Sequence, residues 1–232
     1  MFKPETLKKY MEKAQEYIRK WEEETLITIS VSDGNRKIGR VMNISTLPIR
    51  TCGNCSGCSK YCYDIKACMQ YTNVINARAK NTVLAERNLD EYFNQLWNKM
   101  ARRKKNFYLR FHVGGEIPSY EYLCKMIETA RLFPHFTIWT YTKMYFLVAE
   151  YIRLHGDSKA AAIPENMTIM LSEWRGMTLY NPYGLPEFRV VFVSEGETFP
   201  SDCTWICPGN CDICKEKRRG CVVGETTYAA DH

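Results

Sequence analysis

Apolar residues recur at three- and four-residue steps from Leu7 to Trp21, through Tyr10, Met11, Ala14, Tyr17 and Ile18, and that spacing predicts an amphipathic helix with one buried face. Leu26 to Val31 and Ile38 to Ile44 are rich in β-branched residues instead. Ser32-Asp33-Gly34-Asn35 between them supplies turn chemistry, so the two runs predict a hairpin or an edge pair. From about Thr72 to Arg102 the helical period returns without Pro or Gly, and Asn88-Leu89-Asp90 offers a break at which Asp90 would cap a second helix.

The middle of the chain alternates between the two periods. Phe107 to Val113, Phe136 to Tyr141 and Met167 to Leu171 read as strands, with helices at Tyr120 to Arg131 and Tyr145 to Leu154 between them, and Phe188 to Val193 adds a further strand. Such alternation predicts parallel strands joined by right-handed crossovers. The expected fold is therefore α/β: a partial β/α barrel or an open parallel sheet, with an N-terminal helix and hairpin (1–50), a β/α core (51–200) and a C-terminal segment (201–232). In either architecture ligands sit at the carboxyl ends of the strands. The polar residues expected there are Arg110, His112, Thr142, Lys143, Ser172, Glu173 and Ser194.

A length of 232 residues, 45% apolar, can build a sizeable core. No run approaches the ~18 apolar residues of a membrane span, and Lys3, Glu5, Lys8 and Lys9 stand where a signal sequence would be apolar. A cytosolic protein is expected, without a membrane partner. The net charge of +6 includes two basic knots, Arg102 to Lys105 and Lys215 to Arg219, that could touch nucleic-acid phosphates or serve as solvated helix ends and rims.

Cysteine changes the picture most. Ten of the eleven fall in two runs: Cys52, Cys55, Cys58, Cys62 and Cys68, then Cys203, Cys207, Cys211, Cys214 and Cys221. In a reducing compartment, thiols at every third or fourth residue are a ligand layout rather than a disulfide framework. The first four have two, two and three residues between them, the bacterial ferredoxin spacing for a four-iron cluster, although Tyr63 stands where that run has Pro. Cys68 is then an alternative or additional ligand. Zinc held by two thiolate pairs is the competing structural reading.

Phe111-His112-Val113-Gly114-Gly115-Glu116-Ile117-Pro118 sits where a strand ends and a helix begins. Gly114 and Gly115 admit a ligand close to the backbone and Glu116 offers a carboxylate to an ammonium; an ordinary strand-to-helix turn would also use these residues. Arg110 and His112 alternate with Leu109, Phe111 and Val113, which places both on one side of the strand, beside this element. Lys143, after Trp139-Thr140-Tyr141-Thr142, either holds an anionic substrate or ends its strand. Cys124, alone among Leu123, Met126 and Ile127, reads as a small core residue.

Two features resemble radical S-adenosylmethionine (SAM) enzymes. Cys207, Cys211 and Cys214 share their three-then-two spacing, and Gly114-Gly115-Glu116 is similar to the Gly-Gly-Glu element after their second strand, which receives the cofactor's amino group. Read together, Thr51-Cys52, Cys58-Ser59-Lys60-Tyr61-Cys62-Tyr63, Leu109-Arg110-Phe111-His112, Gly115-Glu116, Ser119, Tyr122, Trp139-Thr140-Tyr141-Thr142-Lys143 and Cys207-Pro208 with Cys211 and Cys214 resemble the phage family labelled gene product 88, over roughly Asn43 to Cys221. Cys55 and Cys68 fall outside that pattern. The resemblance implies an iron-sulfur protein on a radical-SAM-like barrel.

Together these readings lead to an expectation of two cysteine-held clusters, of the four-iron, four-sulfur (4Fe-4S) type, served by an electron donor. The first would face a pocket containing Arg110, His112, Gly114, Gly115 and Glu116. The second would be a closed auxiliary site at the C-terminus. SAM would bind only if three cysteines hold the first cluster; four would make the protein an electron carrier or a cluster-bearing structural module. A zinc-stapled nucleic-acid-binding protein is the alternative.

Overall fold

The computed structural model describes residues 2–34, 39–53, 57–173, 177–193 and 221–226, with the backbone alone for 189–193 and 221–226. Six strands, β1 (Met42–Ile44), β2 (Tyr108–Phe111), β3 (Thr137–Thr142), β4 (Met167–Glu173), β5 (Glu187–Val193) and β6 (Cys221–Thr226), form one sheet in sequential order. Every neighbouring pair is parallel, with Asn43 opposite Arg110 and Arg110 opposite Trp139. The sheet is open: β1 and β6 lie at its two edges. β6 was not foreseen, because it begins at Cys221, inside a run read only for its thiols.

The connections are helical. Helix α1 (Pro4–Glu22) precedes the sheet. A 3-10 turn (Cys58–Tyr61) and the helices α2 (Tyr63–Gln70), α3 (Thr72–Arg87) and α4 (Leu89–Ala101) join β1 to β2. The helix α5 (Tyr120–Leu132) joins β2 to β3, and α6 (Tyr145–Leu154) with α7 (Lys159–Ala162) joins β3 to β4. The break in the long helical run falls where expected, but Asn88 is the cap: its side chain accepts the Glu91 N–H at 3.0 Å.

A sheet wound in one direction with crossovers of one hand puts its helices on one face. Leu109, Phe111, Ile138, Ile169 and Leu171 share one buried cluster with Ile65, Ile75, Phe93, Leu96, Tyr122, Met126 and Val148 of the helices. Tyr10, Ala14 and Ile18 of α1 belong to the same core. The alternate strand residues form a separate cluster of Val41, Trp139 and Met170 flanked by Tyr108 and Tyr141, and no helix residue joins it among the described residues.

Of the expected hairpin, the described residues show the antiparallel bridge from Ser32 to Asn43, and residues 35–38 of its turn and second arm lie outside them. The segment before it finds its partners in side chains. The Gln95 amide accepts the Ile29 N–H at 2.8 Å and donates to the Ile27 carbonyl at 2.8 Å. The Asn81 amide accepts from Ser30 N–H at 2.7 Å and donates to the Ser30 and Ser45 carbonyls. Two side-chain amides on α3 and α4 thus satisfy backbone groups that a second strand would otherwise have paired.

Candidate functional site at the strand carboxyl ends

Cys52 and Cys58 lie in the segment that leaves β1 at its carboxyl end, Cys62 ends it at the start of α2, and Cys68 lies within α2. Two hydroxyls, those of Ser45 and Thr51, fasten this loop to the one after β2. Ser45 Oγ accepts the N–H groups of Val113 and Gly114 at 3.0 and 3.3 Å. Thr51 Oγ1 accepts from Glu116 N–H at 3.1 Å, donates to the Leu47 carbonyl at 2.9 Å and lies 3.0 Å from Thr46 Oγ1. Thr51 immediately precedes Cys52, so the first thiol starts from an anchored backbone. Gly53 faces Met144 after β3, where a β-carbon would lie 3.0 Å from Met144 Cε. The loop therefore crosses the ends of the first three strands.

Cys52, Cys58 and Cys62 are partly exposed, whereas Cys68 is buried. Cys55 lies outside the described residues. Cys62 caps α2, and burial pushes its thiol up to about 11 against the pull of the Ile65 and Asp64 backbone N–H groups. Cys68 packs in the main core and donates to Asp64 Oδ2 at 3.9 Å; burial raises its pKa well above the ordinary thiol value. Its sulfur serves the interior, one turn below the loop. Soft thiols concentrated on one loop are a donor set that suits iron-sulfur or zinc. Among the described residues no three His, Cys, Asp or Glu side chains are grouped closely enough to hold an ion.

Gly114-Gly115-Glu116 follows the second strand, and each of its residues has a structural partner. A β-carbon on Gly114 would meet Asp64 Oδ2 at 1.7 Å, and one on Gly115, whose φ is +78°, would meet Thr46 Oγ1 at 2.1 Å. Glu116 is 6% exposed. Its Oε1 accepts the Ile117 N–H at 3.0 Å and its Oε2 the Lys143 N–H at 2.8 Å, which ties the β2 loop to the end of β3. Burial raises the Glu116 pKa above the ordinary carboxyl value, opposed mainly by the Lys143 charge. An incoming ammonium would meet a carboxylate already engaged on both oxygens.

Arg110 and His112 do not share a side. β2 ends at Phe111, and His112 takes φ +56°, which interrupts the alternation. The imidazole packs beside Tyr122 of α5 at 5.4 Å, with Nδ1 3.4 Å from Thr140 Oγ1. Nε2 is buried without a hydrogen-bond partner, and burial, reinforced by Arg78 and Arg110, lowers the His112 pKa to about 3. Arg110 lies on the other, helix-free face, with its guanidinium 5.2 Å from the Tyr141 ring centroid.

The sequence reading missed the ion pair behind this loop. Arg78 of α3 holds Asp64 with Nη2 3.0 Å from Oδ1 and Nε 3.3 Å from Oδ2, and both side chains are largely buried. The signal was present: Asp64 stands two residues after Cys62, in the first turn of a helix, facing a glycine pair. Cys203, Cys207, Cys211, Cys214 and Ser194 lie outside the described residues, and Cys221 is described only as backbone in β6.

A family model described as gene product 88 matches residues 5–197. The match begins inside α1 and stops before Cys203, which shifts it towards the N-terminus from the expected extent of Asn43 to Cys221. No curated protein and no solved structure matches the chain.

Proposed function

Because the chain belongs to the gene product 88 family, a phage-type family, we propose that this member is an iron-sulfur protein whose first cluster is held by Cys52, Cys55, Cys58 and Cys62. One observation carries the reading. The cysteine run is the loop after the first strand of a sequentially wound parallel sheet, and it is pinned through Thr51 to the Gly-Gly-Glu turn after the second strand.

Thr51 and Ser45 would hold the cysteine loop, and Cys62 would bring its thiolate to the N-terminus of α2, where the Asp64 and Ile65 N–H groups stabilise negative charge. Cys68 stays a core thiol. When bound, the cluster supplies one-electron chemistry, and an external electron donor completes the system. Arg110 faces away from His112, so the two would not act together on one ligand. The C-terminal thiols would hold a second, auxiliary cluster. SAM chemistry is the finer form of this proposal and requires that only three of these cysteines hold the cluster; Glu116 would then offer its carboxylate to the cofactor's ammonium.

Anaerobic purification followed by iron, sulfide and zinc analysis tests the proposal. About four iron and four sulfide per occupied site, with broad visible absorbance, supports it. Serine at Cys52, Cys58 or Cys62 should then reduce iron content, and Cys68→Ser should leave it unchanged. Stoichiometric zinc without iron overturns it. For the finer form, the spectrum of the reduced cluster should change on adding SAM; an unchanged spectrum removes that cofactor and leaves an electron carrier.

A further inference from the structure

The face of the sheet on which no helix packs among the described residues carries a buried donor atom and a buried acceptor atom, neither with a hydrogen-bond partner among them. Asn43 on β1 and Arg110 on β2 are paired residues in the register, so their side chains stand in one row on one face. Asn43 Nδ2 donates to the Val41 carbonyl at 2.8 Å, which fixes the amide orientation and leaves Oδ1 as the acceptor facing away. Among the described residues that oxygen has no partner, and neither has Arg110 Nε. The two atoms do not bond to each other, and the guanidinium is held over the Tyr141 ring, which packs T-shaped with Phe188 at 4.9 Å between ring centroids. Trp139, the next residue in the same row, is 1% exposed and is followed by the buried Thr168, while Met170, opposite Tyr141, is fully buried.

An unmade hydrogen bond at a buried polar atom costs about 1–3 kcal/mol, and more at a charged group. Two such atoms in adjacent register positions are complementary to a ligand edge bearing an acceptor beside a donor. Arginine keeps its proton and can only donate; the anchored Asn43 oxygen can only accept. We infer that this face binds a small ligand through a cis-amide edge, its carbonyl taking the Arg110 Nε–H and its N–H donating to Asn43 Oδ1, with aromatic and apolar side chains as the walls. Two ligand types offer that edge: the imide of a pyrimidine base and a primary carboxamide. The inference stands apart from the first cluster, since Asn43 and Arg110 are not thiols, although Phe188 stands opposite Cys221 in the register.

Calorimetric titration of the full chain with uridine, N3-methyluridine and nicotinamide tests it. Saturable binding of uridine but not of N3-methyluridine identifies a nucleobase ligand; binding of nicotinamide alone identifies a carboxamide. In either case Arg110→Met and Arg110→Lys, each checked for an unchanged circular dichroism spectrum, should weaken binding roughly tenfold or more, the equivalent of one charged hydrogen bond. Failure of all three ligands, or affinity unchanged in both variants, overturns the inference. So does a crystal structure of the protein with saturating ligand in which one water bridges Asn43 and Arg110. Iron content is measured on the same samples, so loss of the cluster reading and loss of this one are seen separately.

Discussion

The Asp64 carboxylate fills the space that a β-carbon on Gly114 would occupy, 1.7 Å from Oδ2. This contact joins the helix that follows the cysteine loop to the turn that follows β2. Gly114→Ala must displace Asp64 and so break its bidentate bridge to the largely buried Arg78. A buried charge that loses its partner costs roughly 3–5 kcal/mol, and denaturant unfolding should show a loss of that order. In an Asp64→Ala, Arg78→Met background the same alanine should cost about 1 kcal/mol or less, because the space is empty and no charge is stranded. Costs that agree within about 0.5 kcal/mol in the two backgrounds would show that Asp64 is not what the glycine accommodates.

His112 predicts an acid-sensitive step. Burial, with Arg78 and Arg110 nearby, holds its folded pKa near 3 against an ordinary value of 6.5. Between those values the unfolded chain takes up a proton that the folded chain refuses. The contribution is therefore present above pH 6.5 and is lost on acidification, by up to about 1.4 kcal/mol per pH unit. His112→Asn suits the φ of +56° and does not titrate. The stability of the wild type relative to this variant should fall as pH drops from 6 to 4; parallel curves would place His112 in a wetter setting.

The parallel α/β architecture was legible because buried strands and amphipathic helices have different periods, and the alternation after Phe107 was long enough to show both. Element ends were less so. Arg110 and His112 look alike by alternation, but alternation holds only while the backbone stays extended, and His112 leaves that region. The segment from Ile27 to Ser30 has strand composition and still forms no strand, since the amides of Asn81 and Gln95 reach it first. Gly114 and Glu116 were found by motif, but what they touch was not. Asp64, Thr46 and Thr51 lie 50 to 70 residues upstream, and spacing does not report contacts at that range.

Asn81 makes three hydrogen bonds to backbone groups from a fully buried position, to Ser30 N–H and to the carbonyls of Ser30 and Ser45. Ser45 in turn holds the β2 loop. Asn81→Leu leaves these groups without partners, at about 1–3 kcal/mol each. The variant should lose roughly 3 kcal/mol or more, and hydrogen exchange at the Ser30 amide should rise well beyond the change in global stability. Exchange that follows global unfolding alone would mean that another group takes over.

Glu116 predicts a pH dependence opposite to that of His112. Burial raises its folded pKa above the ordinary 4.5. The associated stability is present in full below 4.5 and is lost as pH rises through the folded value, because a buried carboxylate must then carry its charge. Glu116→Gln removes the titration and turns one acceptor into an NH2 group facing the Ile117 or Lys143 N–H, a change worth about 1–3 kcal/mol. The advantage of the wild type over Gln should therefore be greater at pH 4.5 than at pH 8. The Lys143 amide, released from Oε2 or turned against a donor, should exchange faster in the variant. A difference that instead grows towards pH 8 would mean that Lys143 and the two backbone donors outweigh burial, with the carboxylate stabilised as an anion.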